Sequence, residues 1–360
     1  MLFLDNILQI KNLDKGQMLS SIEALADQCR EAVRDLQGVS VPRDYSQVKN
    51  IVVAGMGGSA LGAYIIDALY AGEMKVSLEI ANVYHLPAYV NKDTLVVLSS
   101  YSGSTEETLS CMAEAKKVGA KILVMTAGKD LAKFKKDKKL PGYLFVPHFN
   151  PCNSPRMGLG YSLFGLLILF GKMGFIKFGE FEAQKAIKVA EKYNRALGVY
   201  KKITDNRAKQ LAEKIQNKIP FYFSSSHLAG NIHTAANQLN ENAKVFAYWA
   251  LLPEINHHLM EGLLFPTAIK KDLALVFFES AGDELKIRKR FALTREVAKK
   301  RGVEAISYML QEKTPLGQSF ELLVLGSYVS FYLAMLYGLD PTPIPMVDWF
   351  KKNMYYKRSL

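Results

Sequence analysis

The 360-residue sequence predicts an α/β protein built from two similar halves in tandem, each with a parallel sheet between layers of helices. Three observations lead to this fold class. Short apolar runs alternate with helical patterns across residues 50–146, which is typical of a parallel sheet buried on both faces. The same outline starts again near residue 219, after a charged helical stretch at 176–217. The length also fits two domains.

The individual elements follow from the spacing of apolar residues. Residues 1–47 have helical spacing, and helices are also predicted between the strands, at 284–300 and in the apolar stretch 320–336. In the first half, strands are predicted at 51–54, 75–81, 94–99, 121–126 and 143–146. In the second half, strands are predicted at 219–223, 273–278 and 303–308.

These patterns divide the chain into segments. The segments are an N-terminal helical extension (1–47), a first α/β domain (48–175), a helical connector (176–204), a second α/β domain (205–338) and a C-terminal tail (339–360).

The first candidate binding loop follows the strand that ends near residue 99. Small hydroxyl residues surround Gly103 there, and a helical pattern begins at Glu106. A turn of this kind presents backbone N–H groups, hydroxyls and the positive end of a helix dipole at one point. We therefore expect a phosphate site that includes Ser100, Ser102 and Thr105, the alternative being an ordinary capped turn.

A second candidate loop follows the strand at 51–54. Gly57, Gly58 and Ser59 allow a tight turn and a close approach of backbone to ligand. The spacing imitates a dinucleotide-binding turn, but Glu79 lies in mid-strand rather than at the strand end, which argues against a nicotinamide cofactor. Because both loops follow parallel strands, we expect them to converge on one ligand at the carboxyl edge of the sheet.

Composition narrows the class of partner. The formal net charge of +12 fits nucleic acid, an acidic membrane surface or an anionic substrate. No RNA-binding or zinc-finger pattern occurs, the basic run at 133–139 fits a solvated surface loop, and the apolar stretch at 159–170 is too short to span a membrane. The N-terminus does not read as a signal peptide. Three dispersed cysteines favour a reducing compartment, and we expect a cytoplasmic protein.

Candidate acid–base residues lie in two polar segments. Glu241 and His257 flank a proline turn, and a carboxylate and an imidazole are the usual proton carriers at neutral pH. Arg156 follows a proline and is either a clamp for an oxyanion or one half of a surface ion pair. The alternative for His257 and His258 is a pair of ordinary surface or capping histidines.

Taken together, five motifs resemble the bifunctional phosphoglucose/phosphomannose isomerases of the sugar-isomerase (SIS) superfamily. The motifs are GMGGSALG, SYSGSTEET, Pro155-Arg156, NENAK followed by LPEINHH, and DPTPIPMVDWFK near the C-terminus. The resemblance implies two tandem SIS domains, each a flavodoxin-like parallel sheet of five strands flanked by helices. It also implies an aldose–ketose isomerase that interconverts glucose 6-phosphate and mannose 6-phosphate with fructose 6-phosphate through a cis-enediol(ate), without cofactor or metal.

The resemblance further implies a role for each candidate residue. Glu241 would move the proton between C1 and C2, and Arg156 would stabilise the enediolate. His257, reaching the site from the neighbouring subunit of a homodimer, and Lys351 would assist ring opening, although His258 and Lys352 stand beside them as alternatives. Thr342 is a candidate for the region around C2. The sugar phosphate would be held by Gly57, Gly58, Ser59, Ser100, Ser102 and Thr105.

Two other functions remain possible from the sequence. One is a non-catalytic SIS domain that senses a sugar phosphate, although no DNA-binding module accompanies it here. The other is a SIS isomerase that acts on a different sugar phosphate. The tandem halves and the segment with Glu241 and His257 argue against this second alternative.

Overall fold

The computed structural model describes residues 3–354, so the last six residues of the predicted tail lie outside the described part. The strands are β1 (Asn50–Gly55), β2 (Ser77–Ala81), β3 (Thr94–Ser100), β4 (Lys121–Thr126), β5 (Gly142–Leu144), β6 (Ile219–Ser224), β7 (Tyr248–Leu251), β8 (Leu273–Glu279) and β9 (Glu304–Met309). The helices before the second sheet are α1 (Ile7–Leu13), α2 (Met18–Glu23), α3 (Leu25–Leu36), α4 (Leu61–Tyr70), α5 (Glu106–Lys117), α6 (Lys129–Asp137), α7 (Leu159–Lys172), α8 (Glu180–Leu197) and α9 (Arg207–Ile215). Those that follow are α10 (Ala229–Gln238), α11 (Ile269–Asp272), α12 (Leu285–Arg301), α13 (Pro315–Leu336) and α14 (Pro345–Met354).

The first sheet is parallel, with the strand order β2-β1-β3-β4-β5. Its central strands β1 and β3 are almost entirely buried, as their runs of Val, Ile and Leu require in a sheet covered on both faces. The register pairs Gly55 with Ser99 at the carboxyl ends of β1 and β3. The glycine turn and the Ser/Thr turn therefore leave the sheet side by side, as predicted.

The second sheet is also parallel, but it has four strands in the order β7-β6-β8-β9 instead of the five expected. After β9 the chain enters the long helix α13 directly, and the described residues up to 354 contain no fifth strand in this half. The edge strand β7 was not predicted, because it is short and exposes Tyr248 instead of following the apolar pattern of a buried strand.

The core between the two sheets is formed by helices of both halves. Helix α4 packs against α10 so closely that a Cβ on Gly230 would lie 2.3 Å from the backbone carbonyl of Tyr64. Helix α13 packs on α8, α9 and α10. It is long and apolar enough to span a membrane, but 94% of its most apolar window is buried inside the protein, as in the core helix of a globular fold.

The N-terminal extension is helical, as predicted, and belongs to this core. Ile10, Met18 and Cys29 are completely buried, and α3 packs against α7. The fully buried ammonium of Lys209 in α9 forms an ion pair with Asp5 at 2.9 Å, which ties the extension to the second half. The basic run at 133–139, expected to be a loop, begins within α6 instead, although most of its side chains are exposed as expected.

Candidate active site

The glycine turn holds the backbone around Arg156 in place. Gly57 has a φ of +48°, in the region that favours glycine. A Cβ on Gly58 would lie 2.6 Å from the amide nitrogen of Arg156 and 2.7 Å from the carbonyl carbon of Pro155. Only glycine therefore allows the segment Pro155–Met157 to pack against this turn.

Two hydrogen bonds join the glycine turn to the Ser/Thr turn. The backbone N–H of Tyr101 donates to Ser59 Oγ at 2.9 Å, and Ser99 Oγ donates to the carbonyl of Ser59 at 2.7 Å. The two loops thus form one surface at the carboxyl edge of the first sheet, where ligands bind in open α/β folds.

The hydroxyls of the Ser/Thr turn cluster ahead of helix α5. Ser100 Oγ lies 2.7 Å from Thr105 Oγ1 and 3.4 Å from Ser102 Oγ, and it accepts a hydrogen bond from the N–H of Gly103 at 3.0 Å. Thr105 is the N-cap residue of α5, yet its side chain makes no capping hydrogen bond. The hydroxyls converge on one another instead of capping the helix, which favours an anion site over an ordinary capped turn.

Arg156 is buried, with only 2% of its side chain exposed, which excludes the surface ion pair that the sequence left open. Nε donates to Asn242 Oδ1 at 2.5 Å, and Nη1 donates to Glu241 Oε2 at 3.2 Å. Nη2 donates to the carbonyls of Pro341 and Thr342 at 3.1 and 3.0 Å. Of the five N–H groups of a guanidinium, one on Nη1 is left over, next to the Glu241 carboxylate.

Glu241 lies on a short π-helix, Leu239–Ala243, that extends α10. Such π-turns are frequent at functional sites, because the extra residue redirects the side chains. Burial raises the pKa of the Glu241 carboxyl, while the positive charges of Arg156, Lys351 and Lys244 oppose that rise. A carboxylate with a raised pKa is suited to accept a proton and return it near neutral pH.

Lys244, which sequence reasoning did not single out, completes this cluster of charges. Its φ of +57° ends the π-helix, and Nζ donates to the carbonyls of Glu241 at 2.8 Å, Asn242 at 3.3 Å and Pro341 at 3.1 Å. Desolvation of the ammonium and the nearby charge of Arg156 lower the pKa of Lys244 to about 8. Lys244 thereby links the Glu241 turn to the C-terminal tail.

The other residues that the sequence suggested for the site lie outside the hydrogen-bonded cluster of Arg156, Glu241 and Lys244, except for the Thr342 carbonyl. Lys351 is exposed on α14, near enough to Glu241 for its charge to lower the pKa of that carboxyl. His257 is exposed at the end of a short 3-10 helix, and the structure shows no contact between it and Glu241. His258 lies 3.8 Å from Glu254. Thr342 presents its carbonyl to Arg156, and its buried Oγ1 has no hydrogen-bond partner among the described residues.

The matching turns of the second half are filled by their own side chains. Ser225, which follows β6, donates its hydroxyl to Asp283, which follows β8, at 2.7 Å. His227 lies 3.2 Å from Ser225 Oγ and 2.8 Å from Gln318. Across residues 3–354, no group of three or more His, Cys, Asp and Glu side chains is placed to hold a metal ion.

Comparisons with known proteins identify the family that this chain resembles. A family model described as the bacterial phospho-glucose isomerase C-terminal SIS domain matches residues 204–354. A bifunctional phosphoglucose/phosphomannose isomerase of Caldicellulosiruptor bescii is 33% identical over 94% of this chain and 98% of its own length. The protein of the same name from Aquifex aeolicus is 30% identical over 87% of this chain and 93% of its own length.

A solved structure shows the same fold. A hypothetical protein from Thermus thermophilus superposes with a TM-score of 0.75 over 98% of this chain and 92% of that protein, at 18% sequence identity. The near-complete match to the Caldicellulosiruptor bescii relative confirms the resemblance predicted from the motifs. The chain belongs to the bifunctional phosphoglucose/phosphomannose isomerase family.

Proposed function

We propose that the chain is an aldose–ketose isomerase that interconverts glucose 6-phosphate and mannose 6-phosphate with fructose 6-phosphate. The observation that carries this proposal is the buried Arg156, which contacts Glu241 and packs its backbone against the glycine turn of an anion site. A base, a fixed cation and a phosphate site at one place are the groups that isomerisation through a cis-enediol(ate) requires.

Glu241 is the proposed base. Isomerisation moves a proton between C1 and C2, so one group must take the proton from one carbon and return it to the other. A carboxylate can do both, and the raised pKa of Glu241 brings its affinity for the proton closer to neutral pH.

Arg156 is the proposed stabiliser of the enediolate. Negative charge develops on the substrate oxygen as the proton leaves carbon, and a fixed cation in a buried site stabilises that charge strongly. The guanidinium cannot swing away, because Asn242, Pro341 and Thr342 accept its other hydrogen bonds. Its remaining N–H is on Nη1, the nitrogen that contacts Glu241.

The phosphate of the substrate is proposed to bind at the two fused turns. Backbone N–H groups, hydroxyls and the N-terminus of α5 converge there. Binding energy from this remote group positions C1 and C2 next to Glu241. The residues proposed to hold the phosphate are Gly57, Gly58, Ser59, Ser100, Ser102 and Thr105.

His257 and Lys351 are proposed to open the sugar ring, with His257 supplied by the neighbouring subunit of a homodimer. The exposed position of His257 suits a residue that acts across an interface. Large apolar side chains that a monomer would leave in water support such an interface. They are Phe246 and Phe265, on the segments before and after His257 in the chain, and Met346, Trp349 and Phe350 on α14.

The proposed setting is the cytoplasm, because Cys29, Cys111 and Cys152 are all free and buried, as in proteins of a reducing compartment.

The shared site can be tested by mixing two inactive variants. If His257 acts across the interface, a hybrid dimer of Glu241→Gln and His257→Ala subunits contains one intact site. Unfolding and refolding an equal mixture should then restore about a quarter of wild-type activity, because half of the dimers are hybrids with one working site of two. Each variant refolded alone is the control, and a mixture that remains inactive would show that the histidine acts within its own chain.

The activity itself is tested by incubating the protein with fructose 6-phosphate, without added metal, and measuring glucose 6-phosphate and mannose 6-phosphate separately. We expect both products. Glucose 6-phosphate alone would mean a narrower pocket at C2, and binding without either product would favour the sensor alternative.

A pH dependence follows from the charges around Glu241. Because burial raises the pKa of Glu241 and the base must be deprotonated, kcat/KM should fall on the acid side at a pH above the ordinary carboxyl pKa of 4.5. Lys244 lowers that pKa, so Lys244→Met should move this acid limb to higher pH, by up to about one pH unit. Lys299→Met, an exposed substitution on α12, is the matched control. An acid limb that stays in place or moves to lower pH would contradict the assignment of Glu241 as the base.

A further inference from the structure

The proposed phosphate site lacks a positive side chain among the residues assigned to it. Its side-chain donors are neutral hydroxyls, and α5 begins with the carboxylates Glu106 and Glu107. Arg156 is bound to Glu241 and to the tail carbonyls, at the part of the site where proton transfer is proposed. A phosphate dianion binds best where at least one hydrogen-bond donor is a cation.

Lys129 brings an ammonium group to the Ser/Thr turn. Its Nζ donates to Ser104 Oγ at 3.3 Å, and Ser104 is linked in turn to Ser102, whose Oγ accepts from the N–H of Ser104 at 3.3 Å. Ser102 Oγ lies 3.4 Å from Ser100 Oγ. The ammonium therefore stands at the end of the hydroxyl cluster proposed to hold the phosphate.

The backbone that carries Lys129 is fixed against the same turn. The N–H of Ala127 donates to the carbonyl of Tyr101 and the N–H of Leu131 donates to the carbonyl of Gly103, both at 3.1 Å. The carbonyl oxygen of Gly128 would be only 1.7 Å from a Cβ on Gly103, so the two loops are in direct contact. Packing thus fixes the backbone of Lys129 beside the turn, and its exposed side chain reaches Ser104 from there.

Lys129 also has an unusual backbone conformation. Its φ is +51°, in the left-handed region that residues other than glycine seldom adopt. Residues in this region concentrate at ligand-binding sites, where the surrounding structure holds them in place. Lys133, one turn further along α6, is exposed like Lys129, but the structure shows no polar contact for its ammonium.

We propose that Lys129 is a further phosphate-binding residue, whose ammonium leaves Ser104 Oγ and contacts the phosphate of the bound sugar phosphate. The proposal deepens the proposed function and rests on it for the identity of the ligand. The cation that binds the phosphate dianion is then supplied by the start of α6, after β4, and not by the Ser/Thr turn itself.

Removing the ammonium tests the proposal. Lys129→Met should raise KM for fructose 6-phosphate by about 10- to 100-fold, the effect expected for one charged hydrogen bond, and leave kcat within about twofold. Lys129→Arg should retain most of the affinity. Lys129→Gln should not, because a neutral amide can bond Ser104 but cannot neutralise a phosphate. Lys133→Met removes an equal charge from the same helix and should leave KM unchanged.

The charge state of the ligand gives an independent readout. The second pKa of a phosphate ester is about 6, so the loss of affinity in Lys129→Met should be larger at pH 8 than at pH 5.5. The dissociation constants of fructose 6-phosphate and inorganic phosphate, measured by calorimetry, should show this trend. These dissociation constants test the role of Lys129 even if the wild-type protein does not isomerise the sugar. A lack of isomerisation would contradict the proposed function but not the role of Lys129.

Three results would overturn the assignment. One is a KM in Lys129→Met equal to that of Lys133→Met. Another is a loss of kcat at unchanged KM, which would indicate that Lys129 only supports the turn. The third is full recovery of affinity in Lys129→Gln, which would show that the contact with Ser104, and not the charge, is what matters.

Discussion

Replacing Glu241 by glutamine is expected to lower kcat for the isomerisation of fructose 6-phosphate by about 10³-fold, within the range that a positioned general base contributes. The amide keeps the shape of the side chain and can still contact Arg156, but it cannot accept the proton from carbon. Binding of the substrate should survive, because the phosphate turns belong to the other half of the chain. Initial rates together with calorimetric binding of fructose 6-phosphate separate the two effects.

Glu261→Gln is the matched control for this change. The Glu261 side chain is 90% exposed and lies 3.5 Å from Arg301, in the second half of the chain. It should leave kcat within about twofold, as expected for an exposed ion pair. Wild-type turnover in Glu241→Gln would show that Glu241 is not the base. Exchange of the C1 or C2 proton with solvent in that variant would show that another base is present.

Arg156→Lys is the second change with a large expected effect. It keeps the charge but loses the planar fork that joins Asn242, Glu241 and the carbonyls of Pro341 and Thr342. We expect kcat to fall by about 10²- to 10³-fold, as when one preorganised donor to an oxyanion is lost. Buried acceptors left without a donor should also destabilise the fold, by about 1–3 kcal/mol.

Both readouts are needed for Arg156, because stability alone would not separate a structural role from a catalytic one. Thermal unfolding measures the loss of stability, and kcat measured well below the unfolding range measures the loss of transition-state stabilisation. Arg295→Lys, which alters the ion pair with Glu279 in the second half, is the control for an Arg-to-Lys change and should keep its turnover. An Arg156→Lys protein that is less stable but fully active would exclude the enediolate role.

Much of the geometry of the proposed phosphate site could be predicted because it depends on local sequence. A strand that runs into Ser100, Ser102 and Thr105 before a helix already implies free hydroxyls near a helix N-terminus. The parallel register then places the glycine turn beside that turn, which follows from the alternation of strands and helices. For Arg156, the sequence left an oxyanion clamp and a surface ion pair equally open, and its burial excludes the surface ion pair.

Other parts of the site depend on contacts between distant segments. Lys244 stands between Ala243 and Val245, and its place in the site appears only when the tail brings the Pro341 carbonyl to its ammonium. The π-helix at Glu241 has no periodicity that distinguishes it from the end of α10. The strand β7 and the absence of a fifth strand in the second sheet likewise depend on packing that apolar patterns do not encode.

The turns after β6 and β8 in the second half are joined by their own side chains, so the two similar halves differ in their ability to bind an anion. Ser225 and Asp283 occupy the place that corresponds to the two proposed phosphate turns. The Asp283 carboxylate accepts the hydrogen bond of the Ser225 hydroxyl, which is then not available to a phosphate. A negative side chain already seated there repels a second anion. Each polypeptide should consequently take up a single sugar phosphate, with the first half holding the phosphate and the second half supplying the proposed base, Glu241.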